Sequence, residues 1–263
     1  MNKYRIGMKK MNKKPIIVVY HVCILGNWKE ILLDQLKTLN NSGLGKVLDK
    51  MYVQIVGVLD NTHFQEIKSL FLNYSFSHKI SFKYFKAIDL YEFPSIKQVQ
   101  QIARTSPEAR ILYFHTKGVS HEEQHGKQYV KNLNQWRKFM EYFNIEKWDD
   151  CLHALEKFDA CGVDWGKKWK NKPQFFAGNF WWATGKYITT CQLTRNDRFD
   201  CEYFIGTGNP KVRNFLNSHE SPRLGNFFSQ QEISEMTDNP DVWESAMFQF
   251  WKFYYDESYF KGL

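Results

Sequence analysis

The chain has 263 residues, 43% of them hydrophobic and 17% aromatic, and 36 Lys and Arg stand against 28 Asp and Glu for a net charge of +8. That length suits one large domain with a sizeable core. Much of the excess charge lies in residues 1–14, where Lys3, Arg5, Lys9, Lys10, Lys13 and Lys14 occur without an acid. The remaining body is only mildly basic, which argues against a nucleic-acid binder, whose charge spreads over a face.

Cys23, Cys151, Cys161, Cys191 and Cys201 form no CxxC pair, and their number is odd. That pattern fits free thiols in a reducing compartment better than a disulfide framework. No pair has zinc-site spacing with the histidines. No apolar run approaches the roughly 18–20 residues of a membrane span, and the leader lacks the apolar core of a signal peptide. The expectation is a cytoplasmic protein with a solvated basic leader over 1–14 and a single domain over 15–263. The leader is suited to a peripheral contact with an anionic membrane.

In chain order, PIIVVY at 15–20 is a β-branched run with the look of a buried strand. Apolar residues at 28, 31, 32, 36 and 39 have helical spacing, and Asn40-Asn41-Ser42-Gly43 stops that helix. A second strand spans 51–61, a helix 63–72, a third strand 79–89, a helix 95–103, and a fourth strand 110–114. This β-α-β-α-β-α-β order predicts an α/β fold with a mostly parallel, Rossmann-like sheet and helices on both faces. Ligands of such sheets sit outside the carboxyl ends of the strands. The second half is aromatic-rich. It predicts helices at 128–144 and 148–157, strands at 158–165 and 175–183, and a short helix at 184–191. A helical piece at 201–205 and a last helix at 242–255 complete it.

The simplest phosphate and hydrolase motifs are absent: there is no GxGxxG after the first strand, no GxxxxGK[ST], no GxSxG and no HExxH. What remains is a set of strand-end residues. Asp60 closes the second strand, Asp89 the third, His115-Thr116-Lys117 the fourth, and Asp164 the next. Strand-end carboxylates suit a ribose, a base edge or a divalent ion, or else a plain turn or cap. A lysine there suits a diphosphate, or else is a solvated loop residue. His115 reads equally as a satisfied structural histidine. The loop Lys167, Lys168, Lys170 and Lys172 is an electrostatic clamp or a solvated loop. In GNFWW, residues 178–182, a strand glycine marks close approach by a ligand or another backbone. Asn179, Trp181 and Trp182 there suit a sugar, or pack between two layers. Asp200 and Glu202 near a helix start suit a general base, or favour the helix dipole.

The order YFHTKG, DACGVDW, FFAGNFWWATGKYI and RFDCEYFIG resembles a group of bacterial and viral glycosyltransferase-like proteins with the GT-A nucleotide-diphospho-sugar transferase fold. The resemblance covers about residues 15–216, and HTKG and GNFWW are its most specific parts. It implies transfer of a sugar from a nucleotide-sugar donor to a glycan or lipid-linked acceptor, in surface polysaccharide or glycan synthesis. The alternative is a non-catalytic carbohydrate-binding protein on the same fold. Residues 15–120 would be the nucleotide-binding half and 121–263 the acceptor-binding half. Tyr20, His21, Asp60, Asp89, His115, Thr116 and Lys117 would meet the donor. Asn179, Trp181 and Trp182 would meet the acceptor, and Asp200 or Glu202 would be the base. Most GT-A enzymes end the strand matching ILYF in a DxD motif that grips the diphosphate through Mn2+ or Mg2+. Here that place reads His115-Thr116-Lys117. Either Lys117 and His115 neutralise the diphosphate without a metal, or the ion has moved to ligands such as Asp164.

Overall fold

The computed structural model describes residues 14–58, 61–118, 127–166 and 172–215. The leader at 1–13, Asp60, the lysines at 167, 168 and 170, and the helix expected at 242–255 lie outside the described residues.

Strand β1 (Ile16–Cys23) is almost wholly buried along its length. A strand with two apolar faces must be covered on both, and that places it inside a parallel sheet. β1 pairs in parallel with β2 (Lys50–Val56) on one side and with β4 (Arg110–His115) on the other. β3 (Ile80–Phe85) extends the sheet beyond β2, again in parallel. On the far side of β4 lie β6 (Trp181–Thr184), β5 (Ala160–Gly162) and β7 (Val212–Asn214). The order across the seven strands is β3-β2-β1-β4-β6-β5-β7. β6 runs antiparallel to both of its neighbours, and β5 and β7 are parallel to each other. The fold is therefore α/β with a mixed, mostly parallel sheet, to which both halves of the chain contribute.

Helices cover both faces. α1 (Trp28–Asn41) buries Ile31, Leu32, Leu36 and Leu39 as one stripe. With α3 (Asn61–Leu72), α5 (Lys127–Glu141) and α6 (Trp148–Ala154), it packs on the face that carries Val18, Tyr20, Leu112 and Phe114. The short α2 (Leu44–Val47) follows α1. α4 (Phe93–Thr105) buries Phe93, Ile96, Val99 and Ile102. Together with α7 (Gly185–Ile188) it covers the opposite face, beside Ile17, Val19, Ile111 and Tyr113. The alternation of side chains along a strand sorts the sequence between these two cores.

Several sequence-based boundaries move. β3 stops at Phe85, and Ile88–Leu90 form a single 3-10 turn. The strand expected over 175–183 shrinks to Trp181–Thr184, because Gly178 and Asn179 have φ of 84° and 60° and cannot continue an extended ladder. The strand expected over 158–165 shrinks to Ala160–Gly162, with Asp164 at φ 55° just beyond it. β7 and α2 were not expected from sequence. They are too short for a periodic signal, and β7 is defined by its pairing with β5.

Candidate functional site

The connections leave β1 toward β2 on one side, while β4 pairs on the other, so the direction of winding reverses between β1 and β4. A crevice at the carboxyl ends of open α/β sheets forms at such a reversal. His21 and His115 are paired there in register, with ring centroids 6.5 Å apart. One residue further, the Thr116 amide donates to the His21 carbonyl at 3.0 Å. Its hydroxyl accepts from the Cys23 amide, also at 3.0 Å. Thr116 is buried; it stitches the two strand ends together. Lys117 then leaves the sheet, half-buried, with its ammonium 4.6 Å from the centre of the Trp136 ring. Such a contact over an aromatic face suits a cation. Gly118 follows at φ 94°, where a residue with a Cβ is strained.

A buried polar network fixes this strand end from behind. Gln35 on α1 donates to the His115 carbonyl at 3.1 Å and to Glu141 Oε1 at 2.9 Å. Arg137 on α5 pairs with Glu141 through Nε at 3.2 Å and with Asp34 at 3.3 Å, and it reaches the Lys117 carbonyl at 3.5 Å. Gln35 and Glu141 are fully enclosed. Burial pushes the Glu141 carboxyl up, and Arg137 and Lys138 oppose the rise.

Both histidines are held neutral. His21 Nδ1 lies 3.0 Å from Ser95 Oγ on α4. Burial lowers its pKa to about 4, against the charge of Glu92. His115 Nε2 lies 2.9 Å from the Gly178 carbonyl. A carbonyl only accepts, so Nε2 carries the proton there. Burial, then the charge of Lys117, lowers its pKa to about 3. His115 is thus a neutral donor that anchors the 178–181 turn to β4. Gly178 is obligatory in that turn, since a Cβ would come within 2.4 Å of Met140 Sδ and 2.7 Å of the Trp136 ring. The close approach signalled by this glycine is made by α5 side chains.

The third wall contains Glu92, at the start of α4, which sequence reasoning missed. Its Oε2 accepts from the Tyr113 hydroxyl and from Asn179 Nδ2, the latter at 2.6 Å. Asn179 is itself oriented by Trp181 Nε1, which donates to Asn179 Oδ1 at 2.8 Å. Glu202, on α8 (Asp200–Tyr203), completes the cluster. Burial raises its carboxyl above the ordinary range. Lys117 and His115 pull it down, and Glu92 pushes it up. The fourth-strand end and the α8 carboxylate, far apart in sequence, therefore share one electrostatic environment.

Other expected residues lie elsewhere or do other work. Tyr20 does not line a pocket. It is fully buried, stacked on Phe114 at 4.3 Å, and donates to Gln35 Oε1 at 2.6 Å. Trp181 and Trp182 present no free face to an acceptor. Both are fully enclosed, Trp181 against Tyr113 and Trp182 on the other face with Nε1 donating to the Asn144 carbonyl at 2.7 Å. Adjacent strand residues point to opposite cores, so the WW pair is divided between them. Asn179 is also fully buried, and its role is to hold Glu92.

Asp200 is a brace. Its Oδ2 accepts from the Asn196 amide at 2.7 Å and the Thr194 hydroxyl at 2.8 Å, and its Oδ1 accepts from Lys172 at 3.2 Å. Burial pushes its pKa up, but these hydrogen bonds outweigh it and hold the carboxyl below its usual range. Lys172 is accordingly committed to Asp200 and, over the ring, to Tyr203. Asp89 is exposed on its 3-10 turn beyond the edge strand β3. Asp60 lies outside the described residues. Asp164 is buried at the end of β5, and its carbonyl accepts from the Ala177 amide at 2.9 Å. A divalent ion needs several oxygen ligands together, and among the described residues no three His, Cys, Asp or Glu converge as a metal site.

Fold and site together define an α/β protein with a polar cluster (His21, Glu92, His115, Lys117, Glu202) at the carboxyl ends of a mostly parallel sheet. Residues 21–225, well over half of the chain, match a family described as a domain of unknown function, DUF8361. The chain belongs to that family. Comparison with curated proteins finds no match. Among the described residues, no helix is long and apolar enough to cross a membrane.

Proposed function

We propose that the protein is a glycosyltransferase of GT-A type, moving a sugar from a nucleotide-diphospho-sugar to a hydroxyl of a glycan or lipid-linked acceptor. The observation that carries this reading is that Lys117, at the end of β4 beside the reversal point of the sheet, acts electrostatically on Glu202 of α8. A fixed ammonium at the end of β4 meets the leaving diphosphate, and the α8 carboxylate, under its influence, serves the incoming hydroxyl. In the reaction, the acceptor oxygen attacks the anomeric carbon and its proton passes to Glu202. The bond from that carbon to the phosphate oxygen breaks, and the nucleoside diphosphate leaves with the electron pair beside Lys117. Preorganised charge of this kind contributes several kcal/mol in comparable sites. The four parallel strands β3-β2-β1-β4 and their winding reversal support the nucleotide-binding half of the reading. The enclosure of both Trp181 and Trp182 disfavours a purely carbohydrate-binding module, which would need their faces.

Calorimetry with UDP-, GDP- and dTDP-sugars tests the proposal. One of them binds the wild type, and Lys117→Ala weakens that binding by about tenfold or more, the scale of one lost charge-assisted contact. A wild type that binds none of the panel overturns the reading.

A further inference from the structure

Glu92 is held with more care than the fold requires. Two neutral donors, the Tyr113 hydroxyl and the Asn179 amide, meet on its Oε2. Both donors are fully buried, and Asn179 is positioned in turn by Trp181 Nε1. The backbone has positive φ on both sides of this contact. Among the described residues four non-glycine residues have positive φ, and two of them, Tyr91 at 46° and Asn179 at 60°, deliver Glu92 and its donor. A bulky residue such as Tyr91 is rarely found there, whereas Asn enters the left-handed region more readily. The carboxylate so held is only partly buried, and among the described residues its Oε1 has no hydrogen-bond partner. Its charge acts on His21 on one side and on Glu202 on the other.

A carboxylate only accepts hydrogen bonds. It repels a phosphate, so in a sugar nucleotide it can bind a hydroxyl or a base N–H, and Lys117 is left for the diphosphate. We propose that Glu92 is the specificity-determining residue of the donor site, its Oε1 accepting a hydrogen bond from a ring hydroxyl of the transferred sugar. Tyr113 and Asn179 are positioning residues that aim it. The proposal rests on the glycosyltransferase reading and adds the group by which the sugar is distinguished from the nucleotide.

The test compares each nucleoside diphosphate (UDP, GDP, dTDP) with its hexose conjugate by calorimetry on the full chain. The wild type, Glu92→Gln and Tyr113→Phe are measured, and thermal unfolding verifies that each variant is folded. For the pair that binds, Glu92→Gln weakens the sugar nucleotide by about tenfold or more and leaves the bare diphosphate within about twofold. Tyr113→Phe, which keeps the carboxylate but frees its aim, shows a smaller loss confined to the sugar nucleotide. Equal losses on both ligands point to a ribose or base contact or to general disruption and overturn the proposal, as does an unchanged ratio. If the wild type binds neither member of any pair, the transferase reading fails and this proposal fails with it. If the wild type binds and only the variants disagree, this proposal fails alone.

Discussion

Glu202 and Asp200 stand two positions apart on one short helix, and the difference between them is local chemistry. Asp200 spends both oxygens on its own loop and on Lys172. Glu202 is raised by burial and faces the charges of Lys117 and Glu92. Only the second has its pKa moved toward the working pH, the direction that favours a base. Glu202→Gln is expected to lower turnover of a bound sugar nucleotide by about 10²–10⁴ and to change its dissociation constant by less than about threefold. Steady-state rates set beside calorimetry check this. A base acts only when deprotonated, so the wild-type rate falls on the acid side. The raised carboxyl places that fall above the ordinary glutamate range. Asp200→Asn should instead lower the denaturation midpoint and spare the chemical step. Both carboxylates were legible in the sequence as candidates. Their division of labour was not, because it depends on donors at Thr194, Asn196 and Lys172 that the spacing does not reveal.

At the scale of elements, β6 carries the clearest correction. The glycine and the aromatic pair in GNFWW suggested a sugar platform, yet Trp181 and Trp182 fill the two cores on either side of the sheet. Trp182→Ala should cost about 3–5 kcal/mol of stability, the range for deleting a large buried ring, as read by urea denaturation. A platform residue would show a loss of ligand affinity with stability intact. The long α/β elements of the first half follow from periodicity alone. β5 and β6 were legible only as longer strands over 158–165 and 175–183, and β7 not at all, because three or four residues carry no period and are bounded by their partners. α4 was expected from Ser95. It starts at Phe93, and that difference brought Glu92 to the mouth of the site unnoticed.

For the whole molecule, the buried histidines tie stability to pH. His21 and His115 have folded pKa values of about 4 and about 3 against an ordinary 6.5. The unfolded chain therefore binds more protons as pH falls below about 6.5, and each histidine draws stability away by up to about 1.4 kcal/mol per pH unit. Glu141 and Glu202, with raised carboxyls, act in the opposite sense on their own ranges. The comparison that isolates the histidines is a double variant, His21→Asn with His115→Gln, whose amides keep the contacts to Ser95 and Gly178. Relative to the wild type, its denaturation midpoint should improve steadily from pH 6.5 to pH 4.5; parallel curves would disprove the effect. The sequence by itself determined the alternation of strands and helices in residues 16–115, the parallel half of the sheet, and the placing of His115-Thr116-Lys117 at a strand end. Hydrophobic period and β-branching are local and survive without partners. Only the tertiary structure decided which polar residues meet. Glu92, Tyr113 and Asn179 come from three separate segments, and the hydrogen bonds between them are a property of distance in space that no spacing along the chain encodes.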